Sequence, residues 1–327
     1  MSRPLLDVVG VGNAIVDVIA NADDRFVAEQ GMVKGTMALI DEARAATLYA
    51  LMGPAVESSG GSTGNTIAGL ASFGAKTGFI GKVRDDLLGS VFRHDITSIG
   101  AAFPTPAAPD GPGTAFCLIV VTPDAQRTMN TYLGACVNLG PEDVDEDLIR
   151  SAQVTHLEGY LLDSARGKDT FIKASQIAHA AGRKVSLSLS DAFCVRRHLE
   201  EFKSLVDHHI DLIFANEREA FELFGTERLD VVVEGLRSST EVAAVTRSEK
   251  GSVIVSGSSV IDIAAEPVPR VVDSTGAGDL YAAGFLWGLC SGAGLPDCGR
   301  LGSIAAAEVI GHMGARPETP LRTLAAV

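Results

Sequence analysis

The sequence of 327 residues is short of positive charge, and this shortage excludes two classes of partner. Lys and Arg number 27 against 41 Asp and Glu, which gives a formal net charge of −14. A surface with this excess of negative charge repels nucleic acid and anionic lipid, so we expect no nucleic acid and no membrane as partners. A phosphate-rich ligand must therefore be bound by local backbone amides, a metal ion or a few well-placed cations.

Cysteines and long apolar runs are also scarce. The cysteines are five, an odd number, and none forms a C-x-x-C pair, so we expect neither a disulfide framework nor a structural zinc site. This cysteine usage fits a reducing compartment, and we expect a cytoplasmic protein. No apolar run reaches the roughly 18 residues that a membrane helix needs.

Two common nucleotide-binding motifs are missing as well. The chain has no G-x-x-x-x-G-K-[ST] motif, which excludes a P-loop enzyme. The stretch 10-GVGNAI-15 begins like a dinucleotide fingerprint, but Ile15 stands where the third glycine should be.

Short β-branched runs alternate with helical patterns along most of the chain. Helices are predicted over 62–74, 86–100 and 168–182, and each ends at a glycine that can take a left-handed C-terminal turn. Such alternation is typical of a mostly parallel sheet with helices on both faces. The predicted strands are 5–12, 77–83, 154–160, 184–190, 211–217 and 242–248.

Two segments break this alternation. Residues 31–43 are predicted to contain a strand without a helical partner, and 113–133 a hairpin with its turn at 123-PDAQ-126. Both can pair into a small separate sheet, which we expect to form a lid over the substrate. The predicted large α/β domain comprises residues 1–13, 58–100 and 136–327, and the predicted lid comprises 14–57 and 101–135.

The stretch 273-DSTGAGD-279, followed by an apolar run, carries the clearest chemistry. The glycines allow the amides of Gly276, Ala277 and Gly278 to point one way as an anion nest, at the N-terminus of a predicted helix. Asp279 lies in the first turn, where a carboxylate can take the proton from an attacking hydroxyl. The alternative is an aspartate that only caps the helix.

This motif resembles the C-terminal signature of the PfkB (ribokinase-like) carbohydrate and nucleoside kinases. The stretch 60-GGSTGNTIAGLASFGAKTGFIGKVRDDLLG-89 is similar to the N-terminal signature of the same family. The resemblance spans nearly the whole chain. It implies an α/β fold, with a ribokinase-like three-layer α/β/α domain, a mostly parallel central sheet and a small β-sheet lid. It also implies transfer of the ATP γ-phosphoryl group to a hydroxymethyl group.

The resemblance extends to residues near the nucleotide. The stretch 216-NERE-219 is similar to the family's N-x-x-E motif, which implies that Asn216 and Glu219 organise Mg²⁺ through water. A helix N-cap with a first-turn acid fits the same residues. Thr246 and Gly251 match a stretch along the nucleotide, although Ser248 stands where a glycine is usual. The implied cofactors are ATP and Mg²⁺, with a monovalent cation such as K⁺ left open.

The residues after the paired glycines favour a nucleoside acceptor. The stretches 60-GGSTGN-65 and 12-GNAIVDV-18 resemble the adenosine kinases more than the ribokinases or fructokinases. A carboxylate such as Asp17 can accept hydrogen bonds from two vicinal ribose hydroxyls. The other implied sugar contacts are Gly60, Gly61, Ser62 and Asn65. Alternatively, Asp17 is a strand-end carboxylate in solvent and Asn65 a capping side chain.

A purine also needs apolar walls. By resemblance these come from Ile15, Met37, Met129, Thr131 and Tyr160, although such residues are also common in ordinary cores. Arg127 at the hairpin turn corresponds to an arginine that reaches the transferring phosphoryl group in adenosine kinases. The alternative for Arg127 is a solvated side chain in a turn.

Three functions remain open at this point. The first is an adenosine kinase with Asp279 as general base, and the second is a PfkB kinase of ribose, fructose or a related sugar. The third is a catalytically silent nucleoside-binding protein on the same fold. The expected partners are ATP and a small-molecule acceptor, and a monomer and a homodimer both fit the sequence.

Overall fold

An eight-stranded sheet runs through the computed structural model, which describes residues 5–124 and 126–325. Position 125, in the predicted hairpin turn, and the termini at 1–4 and 326–327 lie outside the described residues. The strands of the chain are β1 (Leu6–Val11), β2 (Ile15–Asn21), β3 (Met37–Leu39), β4 (Ala55–Ser59), β5 (Thr77–Ile80), β6 (Ala115–Val121), β7 (Arg127–Tyr132), β8 (Ala152–Glu158), β9 (Lys184–Ser188), β10 (Leu212–Asn216), β11 (Val242–Thr246), β12 (Ser252–Ser256) and β13 (Ser259–Ile263).

Helices connect and cover these strands. They are α1 (Asp24–Glu29), α2 (Glu42–Leu51), α3 (Ser62–Phe73), α4 (Leu87–Ser98), α5 (Glu146–Ser151), α6 (Gly167–Ala180), α7 (Ala192–Arg197), α8 (Leu199–His209), α9 (Glu217–Phe224), α10 (Leu229–Ser239), α11 (Ala277–Cys290), α12 (Leu295–Val309) and α13 (Leu321–Leu324). The predicted helices over 62–74, 86–100 and 168–182 correspond to α3, α4 and α6. Within the described residues, none of the helices is long and apolar enough to cross a membrane.

The large sheet has the strand order β13-β12-β11-β10-β9-β8-β1-β5. All six predicted strands belong to it and pair in parallel, which confirms the mostly parallel central sheet. The hairpin β12–β13 adds two antiparallel strands at one edge, beside β11. The sequence did not suggest this hairpin, because its strands follow β11 without a helix between them.

Both faces of the large sheet are buried. The neighbouring residues Val8 and Val9 on β1 are each fully buried, but Val8 packs in one hydrophobic cluster and Val9 in the other. Successive side chains of a strand point to opposite faces, so the two clusters lie on opposite sides of the sheet. The chain therefore folds as a three-layer α/β/α structure.

A second, five-stranded sheet has the order β3-β7-β6-β2-β4. The predicted hairpin is present, since β6 and β7 pair antiparallel. The predicted strand in 31–43 is confirmed only over its three residues Met37–Leu39. Beyond it, Asp41 caps α2 by accepting a hydrogen bond from the Arg44 amide at 2.8 Å, and the chain turns helical. The division of the chain into two domains at the boundaries given above stays a prediction.

Candidate active site

A cavity of about 770 Å³ lies between the two sheets. One side is lined by residues at the carboxyl ends of the parallel strands, including Glu158, Asn216 and Thr246. The other side is lined by the small sheet, including Cys117 and Met129. Ligands of α/β proteins bind at this edge of the sheet, and the volume suits a small molecule.

The structure brings nearly all of the predicted site residues to this one cavity. Gly60 is the exception; it does not line the cavity but lies against the carboxylate of Asp17. The predicted residues that do line it are Ile15, Asp17, Met37, Gly61, Ser62, Asn65, Arg127, Met129, Thr131, Tyr160, Asn216, Glu219, Thr246, Gly251, Gly276, Ala277, Gly278 and Asp279.

The glycine motif forms a tight turn at the start of α11. Gly276 caps the helix with φ 79°, a left-handed conformation that favours glycine. A Cβ on Gly276 would lie 2.8 Å from the Cβ of Ala315, so no larger residue fits there. A Cβ on Gly278 would meet nothing within 4 Å, because this residue faces the cavity. The first amides of α11 therefore border open space at the positive end of the helix.

Asp279 is held by two residues that were predicted to contact the sugar. Ser62 Oγ donates to Asp279 Oδ1 at 2.7 Å, and Asn65 Nδ2 donates to Oδ2 at 3.0 Å. The hydroxyl of Thr66 also donates to the Asp279 carbonyl at 3.2 Å. Burial raises the pKa of Asp279, and the hydrogen bonds from Asn65 and Ser62 oppose that rise. The N-terminus of α3 thus fixes the orientation of this carboxylate.

Asp17 lies in the middle of β2 rather than at a strand end in solvent, as its alternative interpretation had it. Its carboxylate packs against Gly60, where a Cβ would collide with it. Burial raises the pKa of Asp17 to about 7, while Arg316 and Arg127 act in the opposite direction. A group with this pKa changes its charge near neutral pH.

Glu158 is a site residue that the motif analysis missed. It is 1% exposed at the end of β8 and lines the cavity. Its Oε1 accepts from Asn13 Nδ2 at 2.8 Å and its Oε2 from the Thr63 amide at 2.8 Å, which connects the segment between β1 and β2 to α3. Burial raises the pKa of Glu158 to about 7. The sequence offered one indication of this role, because Glu158 is the one acidic residue in the predicted strand 154–160.

Arg127 forms a buried ion pair with Asp273, the first residue of the glycine motif. Arg127 is the first residue of β7 and is 8% exposed, so the solvated-turn interpretation of this residue is wrong. Asp273 also accepts hydrogen bonds from the amides of Thr275 at 3.0 Å and Gly314 at 2.8 Å. The pair joins the small sheet to the loop that precedes α11.

Asn216 and Glu219 form a reciprocal capping box at the start of α9. Asn216 Oδ1 accepts from the Glu219 amide at 2.9 Å, and Glu219 Oε2 accepts from the Asn216 amide at 2.9 Å. Burial raises the pKa of Glu219 to about 7. Among the described residues, no group of three or more His, Cys, Asp and Glu side chains could hold a metal ion. Each carboxylate oxygen keeps a second lone pair, which suits contact with metal-bound water.

The remaining predicted nucleotide contacts are Thr246, the last residue of β11, and Gly251, which follows that strand. Gly251 has φ 83°, and a Cβ there would collide with the Ile263 carbonyl. Ser248 stands where the resemblance suggests glycine, yet its backbone takes the left-handed conformation with φ 52°. The backbone at Ser248 thus takes a conformation that favours glycine, although the residue is a serine. Arg247 Nε beside it donates to Glu217 at 2.8 Å.

Apolar side chains line the cavity on the side of the small sheet. Met37 and Met129 are register partners on β3 and β7, and Ile15 begins β2. Thr131 donates its hydroxyl to the Cys117 sulfur at 3.3 Å, so this hydroxyl already has a partner within the small sheet. Tyr160 lies opposite, just after β8, and its amide donates to Ser190 Oγ at 3.3 Å.

Known proteins resemble this chain over nearly its whole length. A solved structure of adenosine kinase from Sinorhizobium meliloti is 51% identical, with a TM-score of 0.94 and coverage of 98% of both chains. A probable sugar kinase from Rhizobium etli CFN 42 is 46% identical, with a TM-score of 0.95 and coverage of 99% of this chain and 98% of that one. A 5-dehydro-2-deoxygluconokinase from Geobacillus kaustophilus is 27% identical over 316 residues, which are 93% of this chain and 88% of the relative.

The family match is equally extensive. The profile described as pfkB family carbohydrate kinase matches residues 39–322, which include both glycine-containing motifs and α11. The fold, the motifs and the relatives therefore agree, and the chain belongs to the PfkB family of carbohydrate and nucleoside kinases, as an ATP-dependent phosphotransferase with a ribokinase-like fold.

Proposed function

We propose that the protein phosphorylates adenosine at its 5′-hydroxyl with ATP and releases AMP and ADP. The observation that carries this proposal is the composition of the cavity. The apolar wall of Ile15, Met37 and Met129 lies in the same cavity as the Asp17 carboxylate and Asp279. A bare sugar needs no such wall, whereas a purine does. The similarity to the Sinorhizobium adenosine kinase supports the same acceptor.

The acceptor lies between the small sheet and the start of α3. Asp17 accepts hydrogen bonds from the 2′- and 3′-hydroxyls, and Gly61 and Asn65 contact the sugar. Asn65 Oδ1 is buried and has no hydrogen-bond partner among the described residues, so it is available to a ribose hydroxyl. Tyr160 and the wall residues enclose the base. This arrangement directs the 5′-hydroxyl towards Asp279.

Asp279 acts as the general base. Ser62 and Asn65 hold its two oxygens, so the carboxylate is oriented before the acceptor arrives. It takes the proton as the acceptor oxygen bonds to the γ-phosphorus and the bond to the β-phosphate oxygen breaks. Negative charge on the phosphoryl group is stabilised by the amides of Gly276–Gly278 and the N-terminus of α11. Arg127 also lines this cavity and supplies a positive charge near the phosphoryl group.

Thr246 and Gly251 bound the nucleotide side of the cavity. Asn216 and Glu219 are the residues that would hold Mg²⁺ through water at this end. When bound, the ion neutralises the phosphate oxygens and makes docking to a chain of charge −14 favourable.

A coupled assay of ADP release over a panel of acceptors tests this proposal. The panel contains adenosine, other nucleosides, ribose, fructose and 5-dehydro-2-deoxygluconate. We expect kcat/KM to be largest for adenosine. As a matched control, 5′-deoxyadenosine has no acceptor hydroxyl and should bind without turnover. A sugar with a larger kcat/KM than adenosine would refute the nucleoside assignment.

A sugar acceptor is the second candidate, because the Rhizobium relative is named a probable sugar kinase and the Geobacillus relative acts on a sugar derivative by name. The variant Asp17→Ala further distinguishes the adenosine acceptor from a sugar acceptor. It should weaken adenosine binding through lost ribose contacts, each worth roughly 1.5–3 kcal/mol. The same variant should leave the affinity for 2′,3′-dideoxyadenosine unchanged, since that ligand lacks both hydroxyls.

A further inference from the structure

Arg316 lies in the segment between α12 and α13, yet its guanidinium reaches the start of α3. Its Nη2 lies 3.8 Å from the position that a Cβ on Gly64 would occupy. Its Nε and Nη2 are buried and make no hydrogen bond to any described residue. Two guanidinium nitrogens that are buried without hydrogen bonds have lost their hydration, so they need a compensating interaction with nearby negative charge.

Two carboxylates supply that negative charge. Asp95 on α4 accepts hydrogen bonds from the amide and hydroxyl of Ser59, at 3.2 and 2.8 Å. Asp17 packs against the next residue, Gly60. Both carboxylates attract Arg316. The three charged groups therefore surround the short connection between β4 and α3, which carries the paired glycines of the acceptor site.

We propose that Arg316 is a positioning residue of the acceptor site, whose charge keeps Asp17 ionised so that both of its oxygens accept hydrogen bonds from a vicinal diol. This inference rests on the proposed function, in which Asp17 binds the ribose hydroxyls. Arg316 does not line the cavity, so it acts on the acceptor indirectly, through Asp17. A protonated Asp17 would present one donor and lose one acceptor oxygen.

The charged surroundings of Asp17 support this role. Burial raises its pKa to about 7, and Arg316 is the strongest of the groups that oppose the rise, ahead of Arg127. Asp279 raises the pKa further. The thiol of Cys117, its register partner on β6, has a pKa of about 12 and is neutral. With the pKa near neutrality, the ionised fraction of Asp17 depends strongly on the positive charge around it.

The test compares Arg316→Met with Arg316→Lys by calorimetric titration of the acceptor between about pH 5.5 and pH 9. Loss of a nearby opposite charge raises a carboxyl pKa by about one unit or more. We therefore expect the acidic fall in affinity to begin about one pH unit higher in Arg316→Met. Binding should be roughly tenfold weaker than wild type below pH 7 and nearly equal at pH 9. Arg316→Lys keeps the charge and should keep the wild-type profile.

An Asp17→Asn background separates an electrostatic role from a structural one. There, Arg316→Met should change acceptor affinity by less than about twofold, because no charge remains to be maintained. A loss of affinity that is equal at all pH values, or that persists in Asp17→Asn, would overturn the proposal. Thermal unfolding checks the fold, and Arg316→Gln replaces Met if Arg316→Met does not fold. If neither neutral variant folds, an upward-shifted profile in Arg316→Lys overturns the proposal and an unshifted one supports it.

The titrations use the acceptor that the wild-type enzyme phosphorylates best. If that acceptor is a sugar diol, the adenosine assignment fails while the role of Arg316 is still judged on the sugar. If adenosine is preferred and its affinity in Arg316→Met follows the wild-type pH profile, the role of Arg316 fails alone.

Discussion

Arg127 of the small sheet and Asp273 of the glycine motif form an ion pair that is buried on both sides, with side-chain exposures of 7% and 1%. The two residues are far apart in the sequence: Arg127 begins β7, and Asp273 lies in the loop between β13 and α11. Their pairing connects the wall of the acceptor cavity to the loop that begins the anion nest. Any change at either residue therefore affects both parts of the site.

Arg127→Leu should lower the free energy of unfolding by about 3–5 kcal/mol, because it leaves the Asp273 carboxylate buried and unpaired. Denaturant unfolding measures this. The double variant Arg127→Leu/Asp273→Asn should recover much of the lost stability, since the uncompensated charge is removed. Its kcat should stay low if Arg127 also neutralises the phosphoryl group.

An exposed pair provides the control for this series. Arg228 and Asp230 have side-chain exposures of 72% and 66%. Arg228→Leu should change the unfolding free energy by at most about 1 kcal/mol. If Arg127→Leu is no more destabilising than Arg228→Leu, the buried pair does not stabilise the connection between the two parts.

Asp279→Asn should lower kcat by roughly 10²–10⁴-fold, the usual contribution of a general base. Acceptor binding should change little, because asparagine keeps the shape and can still accept from Ser62. Steady-state kinetics and calorimetry on the folded variant measure the two effects separately. Ser62→Ala is the control, since it removes one hydrogen bond but leaves the carboxylate and should reduce kcat less. A kcat for Asp279→Asn within about threefold of wild type would contradict the general-base role and leave Asp279 as a residue that only holds α3 to α11 through Ser62 and Asn65.

The pH dependence of kcat follows from the same residue. A general base must be ionised, and burial raises the pKa of Asp279 above its ordinary value. With acceptor and ATP saturating, kcat should therefore fall as pH decreases, and the fall should begin at a higher pH than for an exposed aspartate. A kcat that is flat down to about pH 4 would contradict this assignment.

Gly276→Ala and Gly278→Ala form a matched pair within one motif. Gly276→Ala should destabilise the fold by about 1–3 kcal/mol, because the added methyl meets Ala315 and φ is 79°. Gly278→Ala should leave stability within about 1 kcal/mol of wild type, since its methyl meets nothing within 4 Å. It should still raise the KM for ATP, because the methyl projects into the proposed nest. An unchanged KM for ATP in Gly278→Ala would place the phosphates elsewhere.

Asn216→Ala combined with Glu219→Gln tests the proposed magnesium role. We expect a higher Mg²⁺ concentration for half-maximal rate and a lower kcat, because the water-mediated contacts are lost. The same change also removes a helix cap worth about 1 kcal/mol. Asp41→Ala, which removes the cap of α2, controls for that loss. If both variants show the wild-type magnesium dependence, the pair is only a capping box.

The sequence by itself determined the family, the mostly parallel sheet and most of the predicted residues that meet in the cavity. The periodicity of apolar residues fixes the strands and helices locally, and the motifs 60–89 and 273–279 specify backbone shapes that glycine permits. The apolar pattern alone predicted too long a strand in 31–43, because Asp41 starts a helix there through a local hydrogen bond. Nothing local in β12 and β13 distinguished an antiparallel edge from another βα unit.

Only the tertiary structure decided which charges face one another. Asp17 and Arg316 are separated by almost the whole chain, and Ser62 and Asp279 are 217 positions apart. The proximity of each pair depends on how α3, α11 and the C-terminal segment pack. The tertiary structure also revealed that Asp273 is the buried partner of Arg127 and that the Glu158 carboxylate lies in the site. A pKa near 7 for an aspartate or glutamate results from burial together with the distance to other charges. Burial and distance are properties of the packed chain, so residue identity alone does not contain them.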